Sequence, residues 1–314
     1  MAGRILITGA NGYLGGSCVE RLSHSPELEV VAVWHARNDR MLARPSSNVF
    51  YEQCDLTDPQ SVEALFAKWK IDTVLHAAAL LADDQPSWTS RAVLSNICAT
   101  ANLVDSALRH GCTRLVYCSS ISVYGDVPCP EGGWEEGGEV LPSSIYGWTK
   151  YAGEQCLRLH SGAGRLTCVS VRLAGIHGRG RRGGVIFQMM RAALADEPLI
   201  VNNPNNRFQL VFIDDAVDAL LLTLYTSLPD SYNCINLGSH VFPSIREMAK
   251  LIIEECGSKS NIRVGENGGG GDQVMNTLSM AKTLGISSDG IESHLQQIRV
   301  MIEGAKNAAV GERS

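Results

Sequence analysis

Residues 4–15 of the chain, RILITGANGYLG, decide the fold. The apolar run at residues 4–7 predicts a buried strand, and residues 16–23 after the glycines have a helical pattern. A strand, a glycine-rich turn and a helix start together form a phosphate cradle, because glycine lets the backbone approach closely and free N–H groups favour an anion. The G-x-x-G-x-x-G spacing is one residue off the dinucleotide fingerprint, so the assignment depends on the surrounding pattern.

The surrounding pattern alternates strands with helices. Residues 29–33 (EVVAV), 73–75 (TVL) and 114–119 (RLVYCS) predict strands, while residues 59–69 and 91–110 predict helices. This alternation predicts an α/β fold with a doubly wound parallel sheet of the Rossmann type.

The second half predicts a smaller substrate domain. We expect a dinucleotide-binding domain over residues 1–174, to which residues 207–240 return, and a mainly substrate-binding domain over residues 175–314. Residues 185–195 and 244–256 predict helices of that second domain, the latter entered through a Ser-x-x-Glu capping box.

Several polar groups fall at the carboxyl ends of the predicted strands, where ligands bind in such sheets. His76 follows one strand, and Ser120 follows another. A hydroxyl there can hold a substrate oxygen, although serine clusters are also common in turns. For His76, a satisfied histidine of the interior is a better interpretation than a catalytic group.

A phenol and an ammonium lie four residues apart at Tyr146 and Lys150. On a helix they share one face, one turn from each other. A neighbouring cation favours the phenolate, whose ordinary pKa is near ~10. A tyrosine tuned in this way can exchange a proton with an alcohol or ketone while hydride moves at the same carbon.

The tip of the second predicted strand bears on the choice of dinucleotide. An acid at that place binds the ribose hydroxyl of NAD, whereas basic groups suit the phosphate of NADP. The chain has His35 and Arg37 there, and no carboxylate before Asp39. This favours NADP(H) over NAD(H). Farther along, Asp55 is placed to meet the adenine, and Asp58 is a candidate helix N-cap.

Length and charge exclude several classes of protein. The chain has 314 residues, of which 45% are hydrophobic and 19% charged, as in globular proteins of one large or two smaller domains. Its net charge of -6 gives no indication of a nucleic-acid-binding surface. No apolar run approaches the ~20 residues that span a bilayer. The N-terminus shows no signal-peptide pattern, so we expect a cytoplasmic protein with no membrane partner.

The cysteines and histidines do not form metal-binding patterns. The ten cysteines include no C-x-x-C, and the eight histidines include no H-x-H or H-E-x-x-H. We therefore expect reduced thiols and no metal site.

Taken in order, the motifs TGANGYLG, DLTD, HAAA, Asn96, SSISVYG and YGWTK resemble the extended short-chain dehydrogenase/reductase family, and within it the nucleotide-sugar epimerase/dehydratase group. The resemblance covers nearly the whole chain. It implies that Tyr146 is the acid/base, that Lys150 lowers its pKa and holds the nicotinamide ribose, and that Ser120 is the catalytic hydroxyl, with Ser122 as a substitute.

The resemblance also places a set of residues at the cofactor. Asn96 would steady the backbone near the nicotinamide. Together the pattern and the resemblance assign to the dinucleotide Gly9, Asn11, Gly12, Tyr13, Leu14, Gly15, His35, Arg37, Asp55, Leu56, Ala77, Ala78, Ala79, Asn96, Ser119, Tyr146 and Lys150.

The chain departs from the family pattern where substrate is bound. Dehydratases of the group usually carry a Thr-Asp-Glu type triplet where residues 120–122 read SIS, so an epimerase or a reductase is favoured. Gly175 stands where a diphosphate-binding Asn is common, and Phe208, next to Arg207, stands where an Arg is common. Either Arg179, Arg181 or Arg182 supplies that charge, or the substrate carries no diphosphate.

Three functional hypotheses follow. The first is an NAD(P)-dependent epimerase or keto-reductase acting by hydride transfer on a sugar, with a nucleotide-linked sugar favoured. The second is an NADP(H)-dependent carbonyl reductase or sugar dehydrogenase without a nucleotide-sugar substrate. The third is a non-catalytic dinucleotide-binding protein, which the intact set of Ser120, Tyr146 and Lys150 disfavours. A homodimer through the helices at residues 91–110 and 146–159 is expected from the resemblance.

Overall fold

The computed structural model describes residues 3–36, 46–81, 87–161, 166–240, 243–265, 271–286 and 291–311. The strands, in chain order, are β1 (Arg4–Thr8), β2 (Glu29–Trp34), β3 (Val49–Gln53), β4 (Thr73–His76), β5 (Arg114–Ser120), β6 (Thr167–Leu173), β7 (Gly175–His177), β8 (Leu199–Val201), β9 (Leu210–Phe212), β10 (Tyr232–Leu237) and β11 (Ile262–Val264).

The α-helices are α1 (Tyr13–Leu22), α2 (Pro59–Lys68), α3 (Trp88–Ala92), α4 (Ala99–Arg109), α5 (Ile145–Ser161), α6 (Val185–Leu194), α7 (Ile213–Thr223), α8 (Ile245–Cys256), α9 (Leu278–Leu284) and α10 (Ile291–Gly311). A π-helical segment, Val93–Cys98, joins α3 to α4, and a 3₁₀ turn, Ile121–Val123, follows β5. None of the helices in the described ranges is both long and apolar enough to cross a membrane.

The main sheet has seven strands in the order β10-β6-β5-β4-β1-β2-β3. Strand β1 pairs in parallel with β2 and with β4, so that Thr8 lies opposite both Val33 and His76. The strand order reverses between β1 and β4, which is the switch point where doubly wound sheets bind dinucleotides. The predicted fold class is therefore confirmed.

The sheet forms because its strands are apolar on both faces. Ile5, Leu6 and Ile7 of β1 are at most 1% exposed, as expected for a central parallel strand covered by helices. On one face, helices α2, α4 and α5 contribute Leu65, Leu103 and Leu157 respectively to a common core. This packing covers that face of the sheet and leaves the carboxyl ends of its parallel strands at one edge.

The chain divides into two compact units. The first contains residues 1–127, 139–172 and 217–235, and the second contains residues 128–138, 173–216 and 236–314. In the second, β8 pairs with β11 and β7 with β9, and the helices α6, α8 and α10 supply its core. The functional division of the chain at residue 174 stays a prediction.

One predicted helix has a different form in the structure. Residues 91–110 were expected to form a single helix, but the π-helical segment Val93–Cys98 interrupts it. Asn96 lies in this segment and is 1% exposed. Single π-turns inside α-helices are frequent at functional sites.

The helix starts follow local sequence. Asp58 caps α2 by accepting hydrogen bonds from the backbone of residues 60 and 61, and the Ser244–Glu247 capping box of α8 is present. Asp214 and Asp215 lie in the first turn of α7, where their charge complements the helix dipole.

Candidate active site

The glycine turn between β1 and α1 is built for close backbone approach. Gly9 has φ +70°, and a Cβ atom there would lie 2.9 Å from the Cα of Ala78. A Cβ on Gly15 would lie 2.4 Å from the carbonyl oxygen of Gly9. Helix α1 begins after Gly12 without a side-chain cap, so no side chain covers its first backbone N–H groups, which can bind an anion. These features fit the pyrophosphate of a dinucleotide.

Other residues of the turn brace it. The Asn11 side chain donates a hydrogen bond to the backbone oxygen of Ala36, and the Ala10 N–H donates to Val33 at 2.9 Å. Both contacts tie the turn to the end of β2. Tyr13 and Leu14 form the first turn of α1 and are half-buried.

The structure brings His35 and Asp55 together at the expected adenosine end. The His35 Nδ1 is 4.0 Å from the Asp55 Oδ1, and both side chains are exposed. Hydrogen bonds from the hydroxyl and backbone N–H of Thr57 lower the pKa of Asp55, so the carboxylate is charged. Leu56 is 9% exposed. Arg37, on which the NADP(H) preference rests, lies outside the described residues.

The end of β4 contains a buried chain of hydrogen bonds around His76. The Ala78 N–H donates to the Thr8 Oγ1, which lies 2.7 Å from the His76 Nδ1. The His76 Nε2 lies 3.0 Å from the Thr100 Oγ1, whose hydroxyl donates to the Asn96 backbone oxygen. The Thr100 hydroxyl uses its one proton toward Asn96, so it can only accept a hydrogen bond from His76. The imidazole proton is therefore assigned to Nε2, and the Thr8 hydroxyl donates to Nδ1.

These hydrogen bonds make His76 a structural group of the interior. Burial, with a smaller contribution from Lys150, lowers the pKa of His76 to about 3, so the ring is neutral. The three small residues after it, Ala77, Ala78 and Ala79, are half-buried at the sheet edge, where a flat ring could approach them. Their contact with the cofactor stays a prediction.

Asn96 connects the loop after β4 to helix α5. Its Oδ1 accepts the Leu80 N–H at 2.7 Å, and its Nδ2 donates to the Leu80 oxygen at 3.0 Å and to the Thr149 Oγ1 at 3.1 Å. Thr149 in turn donates to the backbone oxygen of Tyr146 at 2.8 Å. These bonds connect Asn96 to the backbone at Tyr146, while its position near the nicotinamide stays a prediction.

Tyr146 and Lys150 share one face of α5. The Lys150 Nζ lies 5.9 Å from the centre of the Tyr146 ring and 4.7 Å from that of Tyr117, and it donates to the Cys118 oxygen at 2.7 Å. Lys150 is 2% exposed. Burial lowers its pKa to about 8, against smaller opposing effects of Cys118 and Glu154. Lys150 is therefore still mostly cationic at neutral pH, as the tuning of Tyr146 requires.

The serine turn lies directly against the start of α5. A Cβ on Gly147 would lie 2.3 Å from the Ser122 backbone oxygen, so a glycine is needed beside Tyr146. The Ser120 hydroxyl donates to the Ser122 Oγ at 3.1 Å and accepts the Ser122 N–H at 3.2 Å. The structure thus brings together Tyr146, Lys150 and both candidate hydroxyls.

Ser119 was expected among the cofactor contacts, but its hydroxyl serves the interior. It donates to the Glu154 Oε1 at 2.5 Å, and Arg172 forms a two-pronged ion pair with the same carboxylate. Sequence analysis missed both Glu154 and Arg172. Two signals were present, since Glu154 continues the Tyr146–Lys150 face by one turn and Arg172 interrupts an apolar strand.

The second unit contains a cavity of about 270 Å³ that sequence analysis also missed. Apolar side chains cover most of its wall, with a few polar groups among them: Val185, Ile186, Met189, Asn203, Asn206, Arg207, Phe208, Leu210, Pro243, Ile245, Met248, Gly271 and Gln273. The size and lining suit a planar ring with polar edges.

The two positions that depart from the family pattern, Gly175 and Phe208, contact each other in the second unit. A Cβ on Gly175 would lie 2.7 Å from the Phe208 ring, so the ring occupies the space that a side chain at residue 175 would need. Arg207 is paired with Asp272, its Nη2 and the carboxylate oxygen being 2.6 Å apart. Arg179 lies exposed in the segment between β7 and α6. Among the described residues, no cluster of His, Cys, Asp and Glu is suited to a metal ion.

Comparisons with known proteins agree with this geometry. The model of the NAD dependent epimerase/dehydratase family matches residues 5–238. The dTDP-L-rhamnose 4-epimerase of Burkholderia thailandensis is 26% identical over 304 residues, covering 81% of this chain and 82% of that protein.

Two solved structures extend the comparison to the fold. MoeE5, solved in complex with UDP-glucose and NAD, is 26% identical with a TM-score of 0.81, covering 98% of this chain and 100% of that chain. The UDP-glucose 4-epimerase of Thermotoga maritima, solved with UDP-glucose, has a TM-score of 0.83 at 19% identity, covering 98% of this chain and 99% of that chain. At that identity, the likeness shows the fold alone.

Proposed function

Because this chain belongs to the NAD-dependent epimerase/dehydratase family, we propose that it inverts a hydroxyl-bearing carbon, C4, in the sugar of a nucleotide sugar. The observation that carries the proposal is the buried Lys150 beside the Tyr146 ring, with the serine turn packed against the same helix end. The family consists of NAD-dependent enzymes, so the non-catalytic hypothesis and the simple carbonyl reductase are not supported.

Each of the three polar side chains has one task. Tyr146, as phenolate, takes the proton of the sugar hydroxyl, and the Lys150 cation stabilises that phenolate. The Ser120 hydroxyl donates a hydrogen bond to the sugar oxygen as it becomes a carbonyl. The bound nicotinamide would take hydride from the carbinol carbon and return it to the opposite face of the ketone. Tyr146 then gives its proton back to the oxygen, so protons and electrons balance.

Epimerisation is favoured over dehydration by the serine turn. Expelling a second hydroxyl needs an acid, and residues 120–122 offer only serine hydroxyls around Ile121. The 4-epimerase names of the relatives point in the same direction, although a dTDP-glucose 4,6-dehydratase from Actinoplanes matches half of the chain at 33% identity.

For the dinucleotide, we propose NAD(H) in place of the NADP(H) preference. The matched family is NAD-dependent, and MoeE5 was solved with NAD. Arg37 remains the argument for NADP(H). Binding of NADH and NADPH to the cofactor-stripped protein, followed by nicotinamide fluorescence, decides between them. An Arg37→Ala variant that loses NADPH affinity alone would restore the sequence-based preference.

For the substrate, the cavity of the second unit is proposed to hold the nucleotide base. Its apolar wall, including Phe208 and Met189, suits a flat ring, and Asn206 and Gln273 can hydrogen-bond the ring edge. The relatives act on dTDP-sugars and UDP-sugars by name, which supports a pyrimidine base. Arg207 is already paired with Asp272, so we expect another cation, such as Arg179, to meet the diphosphate.

One experiment tests the reaction. The protein is purified without added nucleotide, denatured, and any released dinucleotide is identified by mass spectrometry. The native protein is then incubated with UDP-glucose or dTDP-sugars, and the C4 epimers are followed by proton NMR without added cofactor. We expect retained NAD and epimer equilibration. An empty protein that consumes NADPH with keto sugars would instead identify a reductase.

A homodimer is proposed through one face of α5. Trp148, Ala152, Gln155 and Leu159 follow a helical spacing on this face, and Trp148 and Leu159 are 49% and 80% exposed. Leu159→Glu should convert a dimer to a monomer in light scattering, while Leu222→Glu, at an exposed position on α7, should not. A monomeric wild-type protein would contradict the proposal.

The ten free cysteines support the predicted cytoplasmic location.

A further inference from the structure

A buried ion pair joins helix α5 to strand β6 next to the active site. Glu154 is 0% and Arg172 is 4% exposed. The Arg172 Nε donates to the Glu154 Oε1 at 3.0 Å, and its Nη2 donates to Oε2 at 2.8 Å. This parallel, two-pronged geometry is the strong form of the arginine–carboxylate contact. Isolated charges at such depth would be very costly, so the two residues depend on each other.

The pair also bonds to residues next to the candidate hydroxyls of Ser120 and Ser122. The Ser119 hydroxyl, next to Ser120 at the end of β5, donates to the Glu154 Oε1 at 2.5 Å. The Arg172 Nη1 donates to the Tyr124 hydroxyl at 3.0 Å, and the guanidinium lies 4.9 Å from the Tyr124 ring. Tyr124 is fully buried directly after the 3₁₀ turn that contains Ser122. The ion pair therefore contacts α5, the end of β5 and the serine turn at once.

Glu154 has an electrostatic effect as well. It lies one helical turn from Lys150, as Lys150 lies one turn from Tyr146. Four other titratable groups face Lys150, namely Tyr146 from its own helix, His76 from β4, and Tyr117 and Cys118 from β5. Burial puts the pKa of His76 at about 3 and raises those of Tyr117 and Cys118, the latter to about 12.

At neutral pH His76, Tyr117 and Cys118 are uncharged, so the anions that act on Lys150 are the Glu154 carboxylate and, in the proposed reaction, the Tyr146 phenolate. The Glu154 carboxylate is in turn paired with the Arg172 guanidinium. We propose that the Glu154–Arg172 pair is the positioning device of the active centre, which holds the serine turn against α5 and maintains the positive charge on Lys150. The inference rests on the proposed acid/base role of Tyr146.

The decisive variant is Glu154→Gln, which keeps the shape and removes the charge. Because a nearby anion favours the ammonium, its removal should lower the pKa of Lys150 by about one pH unit, a tenfold change in proton affinity. The Lys150 side-chain signal in ¹³C-lysine-labelled protein, assigned with Lys150→Met, reports this titration without any turnover. We expect the midpoint to fall from about 8 in the wild type.

Kinetics provide the second readout. In Glu154→Gln, kcat should fall with little change in KM, and the alkaline limb of the pH profile should move to lower pH together with the Lys150 titration. A loss of kcat that is equal at every pH, with an unchanged Lys150 midpoint, would show a merely structural role and overturn the proposal.

Glu154→Asp separates charge from position. The shorter side chain keeps the anion but cannot span the two-pronged contact, so the Lys150 midpoint should stay near that of the wild type while kcat falls about tenfold. A wild-type kcat in this variant would overturn the positioning role. This variant also keeps the proposal testable if Glu154→Gln does not fold.

Arg114→Gln is the matched control. Arg114 lies at the opposite end of β5, where its Nη1 donates to the oxygens of Thr223 and Thr226 at 2.8 Å each. Its loss should lower the melting temperature and leave the Lys150 titration unchanged. The two proposals fail separately, because an unchanged Lys150 midpoint overturns this inference, whereas a wild-type protein that does not epimerise nucleotide sugars overturns only the proposed reaction.

Discussion

The Tyr146–Lys150 centre of the first unit and the cavity of the second unit are built on opposite principles. In the centre, buried polar groups hold one another, as Lys150 does with the Cys118 oxygen and Glu154 with Arg172. In the cavity, apolar side chains cover most of the wall, and its one arginine is already neutralised by Asp272. The difference agrees with the proposed division of tasks, in which the first region performs the proton chemistry and the second binds the nucleotide base.

The two regions also differ in how the chain assembles them. Tyr146, Lys150 and Glu154 follow one another at four-residue intervals on a single helix face. The cavity wall comes from α6, α8 and β9, from residues just before α8 and β9, and from the segment between β11 and α9. Variants of the first region should therefore change kcat or the pH dependence, and variants of the second should change KM.

The largest effect is expected for Tyr146→Phe. The change removes the proton acceptor and leaves the ring, so kcat should fall about 10²- to 10⁴-fold. Dinucleotide content, measured by mass spectrometry after denaturation, should be unchanged. Tyr151→Phe, on the same helix, is the control and should retain activity. Turnover of Tyr146→Phe within tenfold of the wild type would remove Tyr146 from the mechanism.

The centre is largely visible in the sequence because its signals are local. The glycine turn follows a buried strand within a few residues, and Tyr146 and Lys150 share one helix, so spacing alone places them. The role of Glu154 is not visible in this way, because it depends on Arg172 on a different strand. The same applies to Asn96, because its side chain in the π-helical segment bonds to Leu80 and Thr149, which are distant in sequence.

The cavity could not be predicted because no short segment carries it. Arg207 and Asp272 are 65 residues apart, and their pairing decides whether a cation is left for a phosphate. The packing of Phe208 against Gly175 likewise depends on the pairing of β7 with β9. In sequence, these appear only as departures from a family pattern.

The second prediction concerns the stability cost of the buried Lys150. Its pKa is lowered from 10.5 to about 8 by burial, so the unfolded chain binds one more proton between those pH values. Stability should therefore rise with pH across that window and be independent of Lys150 below it and above it. A shift of this size corresponds to about 3 kcal/mol in the free energy of unfolding.

Urea unfolding of the wild type and of Lys150→Met at pH 7.5 and pH 10.5 measures this contribution. The wild type should gain about 3 kcal/mol relative to the variant between the two pH values. Lys250→Met removes an exposed lysine of α8 and should show no such gain. Parallel pH dependences in all three proteins would mean that Lys150 is not held in a lowered-pKa state.

The smallest effect is expected in the cavity, for Phe208→Leu. Leucine keeps an apolar wall but removes the flat ring, so stacking with a base is lost while the reacting atoms are untouched. Aromatic pairs contribute about 0.5–1.5 kcal/mol beyond their buried area, so KM for the nucleotide sugar should rise about two- to tenfold with kcat unchanged.

Steady-state kinetics against Phe187→Leu test this prediction. Phe187 packs against the same core from α6 without lining the cavity, so its variant should lose stability and keep its KM. A fall in kcat for Phe208→Leu at constant KM would mean that the cavity takes part in the chemical step. An unchanged KM in both variants would place the base elsewhere. The contrast between a region for chemistry and a region for recognition therefore depends on which kinetic constant responds.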